Sequence, residues 1–384
     1  MRRKIPVMIR FISAILLVNL LVWTSTKAQI PESLSSEKST KIEQAVTAFM
    51  SRLNVPGLSI AVVIDNQLRW QQGYGLADVE NFVPAKAATV YRLASVSKPI
   101  TAIAVMQLVD RGKIDLDAPV QKYVPSFPKK TYPVTIRDLL RHTSGIRHYK
   151  GDEEETSTRH YSSLTQALDI FKDDPLEHES GLKFTYSTYG YVLLGTVVEG
   201  ASGMKFTDYL RENIFKPAGM FHTRADGIHD IIQNRARGYV KTDKGELSNA
   251  GLVDPSYRIP GGGLVSTVED MAKFLIAVQN GTLVKKETFE KMSASQVKKE
   301  VWDRTFASQK IPVGKELPTY GFGWIIGTEK RKDAVWHGGI QQGVTTLIYL
   351  LPKERFALVV MMNLEGEGTA IENFGDLIAN ILLQ

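Results

Sequence analysis

The chain has 384 residues, 43% of them hydrophobic, with 47 basic against 41 acidic side chains and no cysteine. Composition alone excludes disulfides, thiolate chemistry and cysteine-held metals, so an apolar core has to carry the fold. The formal charge of +6 has the sign of a nucleic-acid binder, but its distribution argues otherwise.

The excess charge lies at one end. Residues 1–28 hold Arg2, Arg3, Lys4, Arg10 and Lys27 and no acidic residue, and taking those five from 47 leaves 42 basic against 41 acidic side chains. No Lys/Arg-dense patch remains, and no nucleic-acid partner is expected. "MRRKIPVMIR" is a basic stretch, "FISAILLVNLLVW" an apolar run short for a bilayer, and "TSTKA" a close in small residues. The pattern predicts a signal peptide over 1–28, Ala28 being the last residue before cleavage. A single mature domain over 29–384 would then be periplasmic or secreted, with no stable membrane anchor.

In "TKIEQAVTAFMSRL", Ile42, Val46, Phe49, Met50 and Leu53 share a helical face, and Thr40 and Glu43 have capping-box spacing. "LSIAVVIDNQLRWQQGYG" reads as a hairpin turning at Asp65-Asn66. "RLASVSKPITAIAVMQLVDRG" opens a helix that is apolar nearly all round and therefore buried. Signals from about 112 to 270 are short helices and loops, with "KGDEEETSTRHYSS" expected to be a solvated surface loop. The last third is β-rich in "YGFGWIIGT", "DAVWHGG", "GVTTLIYLLP" and "RFALVVMMNL". A final helix carries Ile371, Phe374, Ile378 and Ile381 at helical spacing. The reading is an α/β (α+β) fold with a central antiparallel sheet built from both chain ends, flanked by helices. A mostly helical subdomain, roughly 112–270, is inserted.

Ser-x-x-Lys occurs six times, at Ser35, Ser95, Ser126, Ser180, Ser202 and Ser295, and only Ser95 opens a long apolar helix. Ser95 and Lys98 would share one helix face, with Pro99 near the first turn, where a missing N–H costs least. A serine hydroxyl becomes a competent nucleophile once a base takes its proton, and a lysine can do so when burial holds it neutral. The same motif also fits a serine that caps a helix beside a solvated lysine. Two further stretches separate these readings: "FTYSTYGYVLLG", with Tyr186 before an apolar helix, and "AVWHGGIQQG", with His337-Gly338-Gly339 on a strand.

Ser-x-x-Lys, Tyr-Ser-x and His-x-Gly in this order resemble the serine β-lactamase and penicillin-binding-protein superfamily, in its class C β-lactamase-related branch. "GKIDLDAPVQKYVP", "IRDLLRHTSGI", "IFKPAGM", "GGGLVSTVEDMAKF" and "YGFGW" extend the likeness over nearly all of 40–384. "VPSFPKKTYPVTIRDLLRHTSGIRHY" is most similar to the mitochondrial serine β-lactamase-like group and its bacterial relatives. The resemblance implies a β-lactamase/transpeptidase-like fold, Ser95 as acylated nucleophile, Lys98 as its base, and Tyr186 as a proton shuttle. The shuttle role calls for a phenol lowered by neighbouring positive charge. His337 would donate to Tyr186 or to a substrate carboxylate, with a charge that varies near neutral pH. Backbone N–H groups of Ser95 and Ile340 would form the oxyanion hole. Gly338 and Gly339 would let a substrate backbone approach the strand.

Two positions depart from the superfamily pattern. Thr188 stands where Tyr-x-Asn would place an asparagine that binds the substrate amide, and His337 where many relatives carry lysine. Both weaken β-lactam or D-Ala-D-Ala recognition. The expected activity is a secreted serine hydrolase acting on amide or ester bonds of a small molecule or peptide, as a peptidase or esterase, with D,D-peptidase or weak β-lactamase activity included. The alternative is a receptor without turnover, or a self-assembling scaffold, on the same fold. No cofactor or metal is expected. His142 reads as loop structure, and His148, His160, His178, His222 and His229 lack metal-ligand spacing. Gly261-Gly262-Gly263 reads as a tight turn, and Tyr320 as a core-strand residue able to reach the cleft.

Overall fold

The computed structural model describes residues 33–306 and 317–384. The expected signal peptide lies outside the described residues. The first helix, α1 (Ser36–Leu53), begins a turn before the expected capping box. Ser35 is its N-cap, accepting the Lys38 N–H, while the Thr40 hydroxyl donates to the Ser36 carbonyl. One of the six Ser-x-x-Lys matches is thus a helix cap.

The hairpin forms as expected from β1 (Gly57–Ile64) and β2 (Gln67–Asp78), with Asp65 and Asn66 both at positive φ, as a two-residue primed turn requires. With β3 (Val83–Pro84), β4 (Thr319–Tyr320), β5 (Ile325–Ile326), β6 (Val335–Gln341), β7 (Val344–Leu351) and β8 (Phe356–Met362), these strands make one sheet in the order β3-β2-β1-β8-β7-β6-β5-β4. Every neighbouring pair is antiparallel. The two chain ends meet at its centre, where Leu58 to Ile64 pair with Met362 to Phe356.

Both faces of the sheet are covered, which is why β8 reads as an unbroken apolar run. Leu58, Ile60 and Val62 pack with α1 and the C-terminal helix α5 (Gly368–Leu383), while Ala61 and Val63 face the opposite core. That second core holds α2 (Ser97–Asp110), α3 (Thr188–Ser202) and α4 (Val268–Gln279). Residues Ser97 to Leu108 of α2 are all buried, so any polar group on this helix has to find a protein partner. The segment 112–270 consists of the long helix α3, short helices, loops and four short strands; one of these strands, Leu264–Ser266, pairs with Tyr91–Arg92 just ahead of Ser95. Among the described residues, no helix is long and apolar enough to cross a membrane.

Candidate active site

Ser95 sits in a tight turn, Ala94–Val96, that leads into α2. The turn is clamped on both sides. The Leu93 N–H donates to the Leu264 carbonyl at 2.8 Å, and the Thr346 hydroxyl of β7 donates to the Leu93 carbonyl at 2.9 Å. A Cβ at Gly339 would lie 2.5 Å from the Leu93 oxygen and 3.0 Å from the Ala94 Cβ. The close approach that Gly339 permits is therefore to the chain's own Ser95 turn. Ala94 has φ +48°, a left-handed conformation that costs a non-glycine residue about 1–2 kcal/mol and that the clamp maintains.

The polar residues of the first turn of α2 are all engaged by one segment. Ser97 Oγ accepts the Leu264 N–H, Thr101 donates to the Pro260 carbonyl, and Lys98 Nζ donates to the Gly261 carbonyl at 2.7 Å. The glycine run is thus a short helical turn, Ile259–Gly262, that supplies a ligand for the lysine. A Cβ at Gly261 would meet Thr188 Cγ2 at 2.7 Å, so only glycine brings this carbonyl so near. Lys98 Nζ also lies 3.0 Å from Ser95 Oγ and 3.2 Å from Thr188 Oγ1.

Lys98 is fully buried, and burial, helped by the nearby Arg258 guanidinium, holds it well below the ordinary lysine pKa. A neutral amine has two N–H donors and one lone pair. With the Gly261 carbonyl and Thr188 Oγ1 as acceptors, the neutral form would keep its lone pair for the Ser95 proton, whereas in the charged form Nζ donates to Ser95 Oγ as well. The neutral form is the protonation state that activates a serine.

Tyr186 follows a polar loop and precedes α3, whose N-cap is Ser187: its Oγ accepts the Gly190 N–H and donates to the Arg147 carbonyl. The Tyr186 ring packs 4.4 Å from the His142 ring, and Lys98 Nζ lies 4.6 Å from its centroid. Burial raises the Tyr186 phenol above its ordinary pKa, only partly offset by its hydrogen bond with Ser95. The expected lowering is thus corrected: desolvation dominates at Tyr186, and the phenol is held in its protonated form.

His337 is 2% exposed, and burial pushes its pKa down to about 3, so it stays neutral rather than titrating near pH 7. Its partners are not Tyr186. Its Nδ1 lies 2.7 Å from the Gly338 carbonyl, and its Nε2 lies 3.1 Å from the Tyr320 hydroxyl. That hydroxyl lies 3.2 Å from His142 Nε2, while His142 Nδ1 accepts the Ser187 N–H at 3.1 Å. The ends of this chain are a backbone N–H and a backbone carbonyl, so its polarity is fixed. His142 Nε2–H donates to Tyr320, Tyr320 donates to His337 Nε2, and His337 Nδ1–H donates to Gly338.

His142, expected as loop structure, is buried at φ +59° and walls the site. His148 lies beside it; its Nδ1 accepts the Thr188 N–H, its ring stacks on Tyr149, and burial lowers its pKa to about 4. Thr188 is itself buried against Lys98. The tract 150–163 is also more than a surface loop. Glu154 binds Arg147 and Tyr189, and the Glu155 carbonyl holds Tyr257 and Arg258. Among the described residues, no group of three or more His, Asp or Glu is placed to hold a metal.

Along β6, only Val335 and Trp336 are paired with β5. From His337 onward the outer edge of β6 has no strand beside it. Gly338 and Ile340 are partly or well exposed there, near the half-exposed Ser95 and Tyr186. An extended substrate could lie along this edge with a carbonyl close to Ser95.

An accessible serine bonded to a buried lysine, at the head of a buried helix beside an antiparallel sheet, defines a serine-hydrolase-like protein of the β-lactamase and penicillin-binding-protein fold. The chain belongs to the Beta-lactamase family, whose model matches residues 42–380. It is 32% identical to the human serine beta-lactamase-like protein LACTB, mitochondrial, over 79% of this chain and 70% of the human protein. It is 26% identical to Protein flp of Staphylococcus aureus (strain N315), over 87% of this chain and 65% of that protein. Among solved structures, the octameric penicillin-binding protein homologue from Pyrococcus abyssi superposes with a TM-score of 0.74 at 28% identity, over 90% of this chain and 78% of that one.

Proposed function

We propose that this chain is an exported serine hydrolase that forms an acyl-enzyme on Ser95 and cleaves amide or ester bonds of a small molecule or peptide. The observation that carries the reading is the 3.0 Å contact between Ser95 Oγ and a buried Lys98 held well below its ordinary pKa. Ser95 Oγ attacks the substrate carbonyl carbon while its proton passes to the Lys98 lone pair. The oxyanion is held by the backbone N–H groups of Ser95 and Ile340. Tyr186 gives its phenolic proton to the leaving nitrogen or oxygen, and the Lys98 ammonium restores that proton. Water then attacks the ester, its proton returns to Ser95, and the acid product leaves.

Support for export comes from the basic, apolar and small-residue order of residues 1–28. Thr188 and a neutral His337 favour a peptidase or esterase over an efficient β-lactamase, since neither supplies an amide side chain or a cation to a β-lactam.

Intact-mass spectrometry of the protein and of Ser95→Ala, mixed with a fluorophosphonate, an activated ester and a penicillin, tests the proposal. A transient adduct on the unmodified protein alone, with product accumulating, is the expected result. Equal hydrolysis by Ser95→Ala would overturn it. A lasting penicillin adduct would make the protein a receptor instead.

A further inference from the structure

Arg258 is 2% exposed and makes no ion pair among the described residues. Its guanidinium hydrogen-bonds only neutral oxygens, the Gln342 amide oxygen at 2.8 Å, the Glu155 carbonyl at 3.2 Å and the Tyr149 hydroxyl at 3.4 Å, and lies 5.3 Å from the centroid of the Tyr257 ring. The Glu155 carboxyl acts on it only through space, and Arg258 Nε has no hydrogen-bond acceptor among the described residues. Arg147, buried to a similar degree, is by contrast held by Glu154 and Asp174. A buried cation left without a counter-charge is costly, and its persistence beside a reactive centre calls for an account.

A second unpaired donor lies near the Ser95 turn. Gln341 is 3% exposed, and its Nε2 finds no acceptor among the described residues. Its amide oxygen lies 3.7 Å from where a Gly262 Cβ would sit, and that Cβ would be equally near the Ala94 carbonyl carbon, next to Ser95. Arg258 directly precedes the Ile259–Gly262 turn whose Gly261 carbonyl holds Lys98, while the Tyr186 ring touches Lys98 from another element. His337 offers no free donor on its side, since both ring nitrogens are engaged within the protein.

We propose that Arg258, with Gln341, is the substrate-selecting cation of this site, binding a carboxylate carried on the acyl portion of the substrate. The assignment rests on Ser95 acylation as proposed above. With Tyr186 facing the leaving group, the wall formed by Arg258, Gln341 and Gln342 faces the acyl group. The Gln342 amide oxygen occupies one acceptor position on the guanidinium, and an entering carboxylate takes its place and engages Nε as well, in the paired geometry that guanidinium and carboxylate favour.

The test uses the purified full chain and 4-nitrophenyl esters of glutarate, adipate and pimelate mono-acids, each against its uncharged monomethyl ester. 4-Carboxyphenyl hexanoate and its methyl ester place the charge on the leaving group instead. At least one free-acid acyl ester is expected to exceed its methyl ester in kcat/KM by about tenfold or more, as charge-assisted pairing in a dry site provides. Arg258→Met should bring that ratio close to one, and Arg258→Lys should keep part of it. Fluorophosphonate labelling of Ser95 reports whether each variant is folded. Where Arg258→Met is not labelled, Gln341→Leu replaces it and should lower the ratio severalfold. Absence of a preference in all three ester pairs, a preference that survives Arg258→Met, or one confined to the leaving-group pair would overturn the assignment. Hydrolysis undiminished in Ser95→Ala would overturn the acylation reading itself, a separate outcome.

Discussion

The Tyr320 hydroxyl stands 3.1 Å from His337 Nε2, joining a strand residue of β4 to the middle of β6 across the back of the site. Both groups are buried, and the same hydroxyl also receives His142. Tyr320→Phe strips two buried ring nitrogens of their partner at once. A loss of about 2 kcal/mol is expected, since an unsatisfied buried polar group costs roughly 1–3 kcal/mol. The measurement is a denaturant midpoint that falls with an unchanged slope.

Lys98 is expected to trade stability for chemistry. Lys98→Met should lower kcat/KM for ester hydrolysis by about 10²–10⁴, the usual worth of a positioned base. Its folding stability should hold or rise, because an amine held neutral by burial gives way to an apolar chain. Lys98→Arg should not rescue activity, as a guanidinium does not release its proton. Paired ester kinetics and thermal melts check all three outcomes.

The acid limb of the pH–rate profile should follow Lys98. Only the neutral amine accepts the Ser95 proton, so kcat/KM rises as pH climbs through a lysine pKa that burial and Arg258 both lower. Arg258→Met removes one of these causes, and the limb should move to higher pH. A shift to lower pH would contradict the electrostatic assignment.

Gly339→Ala should be severe for its size. The added carbon meets backbone at Leu93 and the Thr346 side chain at 2.6 Å, and neither yields easily. A loss of about 1–3 kcal/mol is expected from overpacking. Fluorophosphonate labelling should fall further than stability does, because the displaced segment carries Ser95.

Glu372 sets an alkaline dependence of stability. Burial, with Asp376 and Glu329 nearby, pushes its carboxyl up to about 7 from an ordinary 4.5. The folded chain holds this proton where the unfolded chain has released it. Stability is therefore lost as pH rises from about 4.5 through 7. Glu372→Gln should raise the melting temperature at pH 8, by about 1 kcal/mol of stability, and leave it nearly unchanged at pH 4.

The groups legible in the sequence were those whose pattern is local. The Asp65-Asn66 turn, the all-apolar helix after Ser95 and the final helix follow from periodicity and turn chemistry. Ser95, Lys98, Tyr186 and His337 follow from motif order, and the structure gathers them around one centre. What escaped depends on approach in space. Gly261 contributes a carbonyl, which has no sequence signature. His142 and Tyr320 matter through each other, across 178 positions. Arg258 looks like any arginine until its burial and lack of a carboxylate are seen. The pKa directions of Tyr186 and His337 are not legible in the sequence, because desolvation is the largest cause at both and desolvation is a property of packing.

The pairing of β1 with β8 joins residues about 300 positions apart, Leu58 with Met362 among them. A ribosome has to add about 300 residues after β1 before the centre of the sheet can exist. Until then β1 carries a bare, apolar edge, and the Ser95 turn lacks the Thr346 and Gly339 contacts that clamp it. Folding waits on the last strands, as high contact order dictates. A product truncated before Phe356 would have the nucleophile and the lysine in its sequence but no site, and an edge prone to aggregation.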